Sequence, residues 1–171
     1  MEQHQINQSK DNFDRIANNV EEWRRSAESL ATAAKVLRDN RPKILPPNIK
    51  MSEAYRYHQV LWSELMLWGM SLEDFLKSLI LKNGGTLSKA GKFQGHSKHD
   101  LSAMATQAQF DPTPDQKPIL DSLSDIVTWS GRYPIPKDFS KVLGPRQWTV
   151  PSDDNMVDSL VSSLRDSLKE K

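Results

Sequence analysis

The sequence contains no cysteine. Disulfide bonds, thiolate-ligated metal sites and cysteine nucleophiles are therefore excluded. An excess of charge of one sign is also lacking, because 23 Lys and Arg residues stand against 22 Asp and Glu residues, for a formal net charge of +1. This balance gives no global reason to expect nucleic acid or an anionic membrane as a partner, although it leaves room for a local basic site.

The N-terminus has no apolar core. Its first residues, MEQHQINQSKDNFDR, are polar, so no signal peptide is predicted and a cytoplasmic location is the default expectation. Strand-like alternation of useful length and internal repeats are also missing. We therefore predict an all-α protein, a four-to-five-helix bundle of a single domain. Its expected parts are a core bundle at about 10–131, a proline-rich extended arm at 132–151 and a C-terminal helix at about 152–171.

The most informative stretch is the middle of the chain, YHQVLWSELMLWGMSLEDFLKSLIL at residues 57–81. Apolar and aromatic residues cover nearly its whole circumference, which predicts a helix buried among other helices. A membrane-spanning helix is the other explanation for such a pattern. Four charges interrupt the stretch, and each would cost roughly 2.5 to 3.5 kcal/mol at the centre of a bilayer; they are Glu64, Glu73, Asp74 and Lys77. We therefore expect the central helix of a soluble bundle and no membrane partner.

A first helix is predicted over residues 10–38. Its apolar residues recur at three- and four-residue steps, which predicts a narrow seam that packs along another helix; they are Phe13, Ile16, Val20, Trp23, Ala27, Leu30, Ala34 and Leu37. The partner helix is expected within the same bundle, and a dimerising coiled coil is the alternative. Three prolines in residues 40–50 then predict a stiff connector to the central helix.

The boundaries of the remaining helices follow from capping residues. Asn83-Gly84-Gly85 predicts the end of the central helix, and residues 85–99 are expected to form a mobile basic loop. The glycines around this loop match no nucleotide-binding fingerprint. Ser97 with Asp100 has the form of a capping box that opens a third helix. Thr113 with Gln116 predicts the same for a fourth helix, which Gly131 would end, and Ser152 is the expected cap of the last helix.

The first group of candidate site residues lies in GHSKHDL, residues 95–101. The positive end of a helix favours a neutral imidazole, so His99 could act as a base near neutral pH. His96, His99 and Asp100 could also be imagined as a zinc site, but no fourth ligand is evident. The alternative is that both histidines merely face solvent near the helix start.

A second candidate group follows the fourth helix. Arg132 could bind a phosphate or carboxylate, or it could bond the last carbonyls of its own helix. Basic residues with interspersed aromatics could contact single-stranded nucleic acid; they are Lys92, Phe93, Lys98, Arg132, Tyr133, Lys137 and Phe139. Acidic neighbours dilute that pattern, and a solvated surface is the simpler interpretation.

Together these segments resemble the HEPN superfamily, small helical domains named for their presence in higher eukaryotes and prokaryotes and for presumed nucleotide binding. Three stretches carry the resemblance: LMLWGMSLEDFLKSLIL at 65–81 is similar to the long central helix, GHSKHDL at 95–101 to the start of the third helix, and WSGRYPIP at 129–136 to the end of the fourth. The match spans roughly residues 27–136.

The resemblance implies a helical bundle that forms homodimers, often alongside a cognate antitoxin or a nucleotidyltransferase protein, in toxin–antitoxin or phage-defence settings. Catalytic members are metal-independent ribonucleases with an arginine followed four to six residues later by a histidine. This sequence departs from that pattern, because Arg132 is followed by YPIPKDFSK, with Asp138 at the sixth place.

The leading hypothesis is therefore a non-catalytic HEPN-like module that binds a protein, a nucleotide or RNA, and that requires no cofactor and no metal. The residues expected to contact the ligand are His96, Lys98, Asp100, Tyr133 and Lys137. The alternative is a ribonuclease toxin in which His99 and Arg132 converge as the catalytic pair.

Overall fold

The computed structural model describes residues 2–41, 48, 50–95, 99–130 and 154–169, with backbone alone at 2–4, 51, 55, 56, 58, 129 and 130. Within these ranges the chain is mostly helical, as the sequence predicts. The helices are α1 (Glu2–Ala17), α2 (Val20–Asn40), α3 (Met51–Lys82), α4 (Leu101–Gln107), α5 (Lys117–Asp125), which continues as a π-helical turn at Ile126–Ser130, and α6 (Asp154–Lys169). Two short strands, β1 (Ser88–Lys89) and β2 (Lys92–Phe93), form an antiparallel hairpin. The arm predicted at 132–151 lies outside the described residues.

Helix α3 is the longest of the described helices, and the prediction of a buried helix in this part of the chain is confirmed. It is 32 residues long, about 48 Å at 1.5 Å per residue, and every residue from 71 to 80 is buried. Helix α2 packs along it, and α4, α5 and α6 also contact it. Gly69 allows one of these approaches, because a Cβ atom there would lie 2.3 Å from the Cγ2 of Val127. No helix in the described ranges is long and apolar enough to cross a membrane.

The prediction of one continuous first helix is wrong. The chain breaks at Asn18 and Asn19, between α1 and α2. Asn19 caps α2, since its side-chain oxygen accepts hydrogen bonds from the backbone N–H groups of Glu21 (2.9 Å) and Glu22 (3.4 Å). An asparagine side chain competes well for free N–H groups at a helix start, so it favours a cap over a helix interior.

The predicted seam is consequently correct only in part. On α2 the small residues Ala27, Ala31 and Ala34 are buried against α3. On α1, by contrast, Phe13 and Ile16 are 44% and 47% exposed. Before the break, α1 packs against the hairpin, whereas α2 after it packs along α3. The three- and four-residue spacing therefore continues in sequence without burying the same face.

The mobile loop predicted after α3 is partly ordered. Helix α3 ends at Lys82 as predicted, and Gly84 adopts the left-handed conformation (φ +85°) that closes it. The following hairpin turns at Ala90 and Gly91, both with positive φ, as in the tight turns that join two antiparallel strands. Helix α1 holds this hairpin in place through contacts that no local pattern in residues 85–99 reveals.

Helices α4 and α5 begin slightly later than the sequence predicts. Asp100 is the N-cap of α4 and accepts a hydrogen bond from the N–H of Ala103 (2.9 Å), so the helix opens at Leu101, while Ser97 lies outside the described residues. The Gln116 side chain accepts from the N–H of Thr113 (3.1 Å), which is half of the predicted capping box, and α5 follows one turn later. Helix α6 buries its predicted apolar side, Val157, Leu160, Val161 and Leu164.

Candidate functional site

The structure describes two of the predicted site residues, His99 and Asp100. The other five lie outside the described residues: His96, Lys98, Arg132, Tyr133 and Lys137. The convergence of His99 with Arg132 therefore stays a prediction. Asp100 uses its carboxylate to cap α4, which is a structural role.

His99 sits just before α4 and faces α3. Its backbone is in the left-handed region (φ +52°), which few non-glycine residues adopt, although histidine does so more often than most. Its Nδ1 lies 2.7 Å from Oε2 of Glu73 on α3. The His99 side chain is 30% exposed, whereas that of Glu73 is only 8% exposed. One edge of the imidazole is thus fixed to a buried carboxylate.

Glu73 belongs to a buried cluster of charges on α3. The Nζ of Lys77 lies 2.8 Å from Oε1 of Glu73 and 3.2 Å from Oδ1 of Asp74. Ser26 on α2 donates a hydrogen bond to the other oxygen of Asp74 (2.7 Å). With neutral His99, two carboxylates and one ammonium leave this cluster with one net negative charge. A protonated His99 would neutralise it.

The two carboxylates have opposite pKa shifts. Burial tends to raise the pKa of Glu73, but the hydrogen bonds and charges of Lys77 and His99 outweigh it and hold that pKa below its ordinary value. Burial also raises the pKa of Asp74, and there Lys77 and Ser26 offset only part of the effect. Glu73 is therefore ionised at neutral pH and accepts a hydrogen bond from the protonated Nδ1 of His99. The other ring nitrogen, Nε2, has no hydrogen bond to any described side chain and could contact a ligand.

An aromatic pair covers the ammonium of Lys77. Its Nζ lies 4.3 Å from the ring centroid of Trp23 on α2 and 5.8 Å from that of Phe93 on β2, so cation–π attraction supplements the ion pairs. The two rings are 6.0 Å apart and tilted by 41°. His99, Glu73, Lys77 and Phe93 thus form one connected group that joins the start of α4 to the hairpin.

Sequence reasoning missed Glu73, Asp74 and Lys77 as site residues. It treated them only as obstacles to membrane insertion. The signal was nevertheless present, because charges on a helix that is apolar all round must be buried, and buried charges need partners. Their spacing of three and four residues places them side by side on one face.

The arrangement can orient one imidazole for binding or for proton transfer. Among the described side chains, Glu73 alone is hydrogen-bonded to His99. Within the same residues no three His, Asp or Glu side chains are grouped as metal ligands, and the carboxylate of Asp100 is already engaged as a cap. A zinc ion held by His96, His99 and Asp100 gains no support from this geometry.

Comparison of the chain with known proteins yields no match. No protein-family model matches it, and no curated protein or solved structure is detectably similar. The arrangement around His99 must therefore be interpreted from its own chemistry.

Proposed function

We propose that the protein is a non-catalytic HEPN-like helical module that binds a partner, as a homodimer, in a toxin–antitoxin or phage-defence setting. The observation that carries the proposal is the bond between His99 and Glu73. It presents one partly exposed, oriented imidazole at the surface of the bundle, where it can accept or donate a hydrogen bond to a ligand. The partner class remains protein, nucleotide or RNA.

Binding is favoured over catalysis because acid–base cleavage of a phosphodiester needs a second group placed opposite the first. No described side chain other than Glu73 reaches His99. Glu73 is itself engaged by Lys77 and has a lowered pKa, so it is poorly suited to donate a proton near neutral pH. In the sequence, Arg132 also lacks the histidine that catalytic HEPN proteins place four to six residues later.

A second candidate function is a metal-independent ribonuclease that uses His99 and Arg132. The contact between Nδ1 of His99 and Glu73 favours it, because a carboxylate that fixes one ring nitrogen prepares the other to act as a base. In this case Arg132 would stabilise the charge that develops on the phosphate. Neither candidate needs a metal or another cofactor.

Incubation of the purified protein with single-stranded RNA in the presence of a chelator separates the two functions. We expect no cleavage above the level of a buffer blank, measured by gel electrophoresis of end-labelled RNA. Cleavage that disappears in both His99→Ala and Arg132→Ala, but persists in Lys117→Ala on the exposed start of α5, would establish the ribonuclease and overturn the binding module.

The homodimer is tested separately by light scattering after size-exclusion chromatography. At micromolar concentration the expected mass is twice the 19.5 kDa of one chain. A mass equal to one chain across that range would remove the dimer from the proposal and leave the binding function to be judged on its own.

A further inference from the structure

Helix α1 and the hairpin carry most of the large apolar side chains that are exposed in the described part of the chain. Five large apolar side chains are exposed in the described part of the chain, and four of them lie on these two elements: Ile6 (47%), Phe13 (44%), Ile16 (47%) and Phe93 (45%). The first three are spaced by seven and three residues, which places them along one face of α1. Apolar patches of this kind on an otherwise polar surface mark interaction sites.

Next to this face lies a groove between α1 and the hairpin, about 690 Å³ in volume. It is lined by Gln5, Ile6, Ser9, Lys10, Phe13 and Gly91. Its lining residues on α1 run from Gln5 to Phe13, so the groove extends beside about two and a half helical turns. An open groove of this kind beside a helix can receive a short amphipathic helix.

Hydrogen bonds between α1 and the hairpin preform this groove. The carboxylate of Asp14 accepts from the hydroxyl of Ser88 (2.5 Å) and from the N–H of Gly91 (3.0 Å). The Asn18 side chain accepts from the N–H groups of Leu87 (2.9 Å) and Ser88 (3.1 Å) and donates to the carbonyl of Ser88 (2.8 Å). A partner would therefore meet a surface that is already ordered, which lowers the entropic cost of binding.

The rim of the groove is basic. Lys10 lies on α1, and Lys89 and Lys92 face each other across the hairpin on either side of its turn. All three are exposed, and none forms an ion pair with another residue that the structure describes. Like charges directly opposite each other destabilise two paired strands. Lys89 and Lys92 therefore do not stabilise the hairpin. The carboxylate of Asp14 is already hydrogen-bonded to the hairpin.

We propose that the α1–hairpin surface, made of Ile6, Phe13, Ile16 and Phe93 with the rim lysines Lys10, Lys89 and Lys92, binds an acidic amphipathic helix of a partner protein. The apolar ridge of that helix would pack on the exposed apolar residues, and its flanking carboxylates would pair with the lysines. The inference rests on the proposed binding function, because it specifies the chemistry of a protein partner. The surface that it assigns does not include His99.

The apolar composition favours a helix over RNA or a membrane. Two of the four exposed apolar side chains are isoleucines, which offer a base no aromatic face for stacking. Three lysines neutralise few phosphates, whereas they match the carboxylates that one helix can place along its flanks. Three lysines also contribute only about 1 kcal/mol each to binding an anionic membrane, which is weak anchoring.

The test uses the full chain and a synthetic probe. The probe is a fluorescein-labelled peptide of about 16 residues with leucines along one helical face and glutamates on both flanks, matched to the length of α1. Fluorescence anisotropy compares it with a scrambled peptide of identical composition and with a version that carries lysine in place of glutamate. We expect the acidic amphipathic peptide to bind at least roughly tenfold more tightly than either control. Its affinity should fall as the NaCl concentration rises from about 50 to about 300 mM.

Two variants locate the binding. Phe13→Ala and Lys92→Glu should each lower the affinity for the acidic peptide by roughly five- to tenfold, because each removes one contact of the proposed surface. Both positions are exposed, so we expect both variants to keep the fold. Their matched controls are Val36→Ala on α2, which is 56% exposed, and Lys117→Glu on α5, and both should leave binding unchanged. Circular dichroism verifies that all four variants keep the helix content of the parent protein.

Four results would overturn the inference. The first is equal binding of the acidic and the scrambled peptide. The second is binding of single-stranded RNA that is abolished by Phe13→Ala and Lys92→Glu. The third is binding of vesicles that contain phosphatidylserine, abolished by the same two variants. The last is a dimer that Phe13→Ala converts to a monomer, which would assign the surface to a second copy of the chain. RNA cleavage by His99 would refute the non-catalytic function and leave the peptide measurement unaffected.

Discussion

Replacing Lys77 with methionine is expected to lower the free energy of unfolding by about 3–5 kcal/mol at neutral pH. The substitution keeps the apolar stem beside Trp23 but removes the ammonium that Glu73 and Asp74 share. Both carboxylates are then buried on adjacent positions without a fixed cation, and the cost of leaving buried charge unpaired exceeds the cost of losing the contact itself. His99 can compensate Glu73 only when it is protonated.

The loss should depend on pH with a definite sign. Without Lys77, burial raises the pKa of both carboxylates in the folded variant, so the folded state binds more protons than the unfolded state. Stability then falls as pH rises through the titration range, and the difference from the parent protein shrinks as pH falls below about 5. In the parent protein the two shifts oppose each other, because Lys77 and His99 lower the pKa of Glu73 while burial raises that of Asp74.

Urea unfolding followed by circular dichroism between about pH 4.5 and 7.5 measures this effect. The matched control is Lys35→Met, which removes another lysine that pairs with an acidic residue four positions away, Asp39, at 2.7 Å but with 66% of the lysine side chain exposed. That change should stay within about 0.5 kcal/mol at every pH. A loss below about 1 kcal/mol for Lys77→Met, or one that does not vary with pH, would contradict the idea that the cluster is an interdependent buried unit. Adding Asp74→Asn should restore part of the stability, since it removes the surplus charge.

The sequence was sufficient for the elements whose signals are local. The all-round apolar pattern identified α3, Gly84 marked its end, and Gln116 indicated the start of α5. The break at Asn18 and Asn19 was missed because the apolar spacing continues across it. The Asn19 cap is a local signal for the break, and the contacts of Asn18 with Leu87 and Ser88, about seventy residues away in sequence, add a reason that the sequence does not show.

The candidate site was predictable to a smaller extent. His99 was identified from its place before a helix, but its partner Glu73 lies 26 residues earlier and is chosen by the packing of α4 against α3. The hairpin was predicted as a mobile loop because two-residue strands carry too little alternation to be recognised. Its position depends on Asp14, a residue that in sequence is only one more charge on a polar helix.

Arg38 carries the second large expected effect, because it joins three helices through one buried guanidinium. Its Nε donates to Glu64 on α3 (3.0 Å), its Nη1 donates to Asp158 on α6 (2.7 Å), and its plane lies 4.5 Å from the ring centroid of Trp68. The side chain of Arg38 is 6% exposed and that of Glu64 is 1% exposed. Replacement by leucine should lower the free energy of unfolding by about 3 kcal/mol, moderated because Arg41 still pairs with Glu64.

A second arginine bridge between the same helices provides the control. Arg165 on α6 forms two hydrogen bonds with the carboxylate of Glu28 on α2, at 2.9 and 2.5 Å, but the side chains are 40% and 36% exposed. Because solvent screens this pair, Arg165→Leu should cost less than about 1 kcal/mol, and the cost should diminish in about 0.5 M NaCl. The cost of Arg38→Leu should persist in the same salt, since its charges are shielded from ions. Equal losses for the two variants in urea unfolding, with the same salt dependence, would show that burial does not decide what these bridges contribute. Unequal losses would identify Arg38 as a buried ionic contact that stabilises the packing of α6 on α2 and α3.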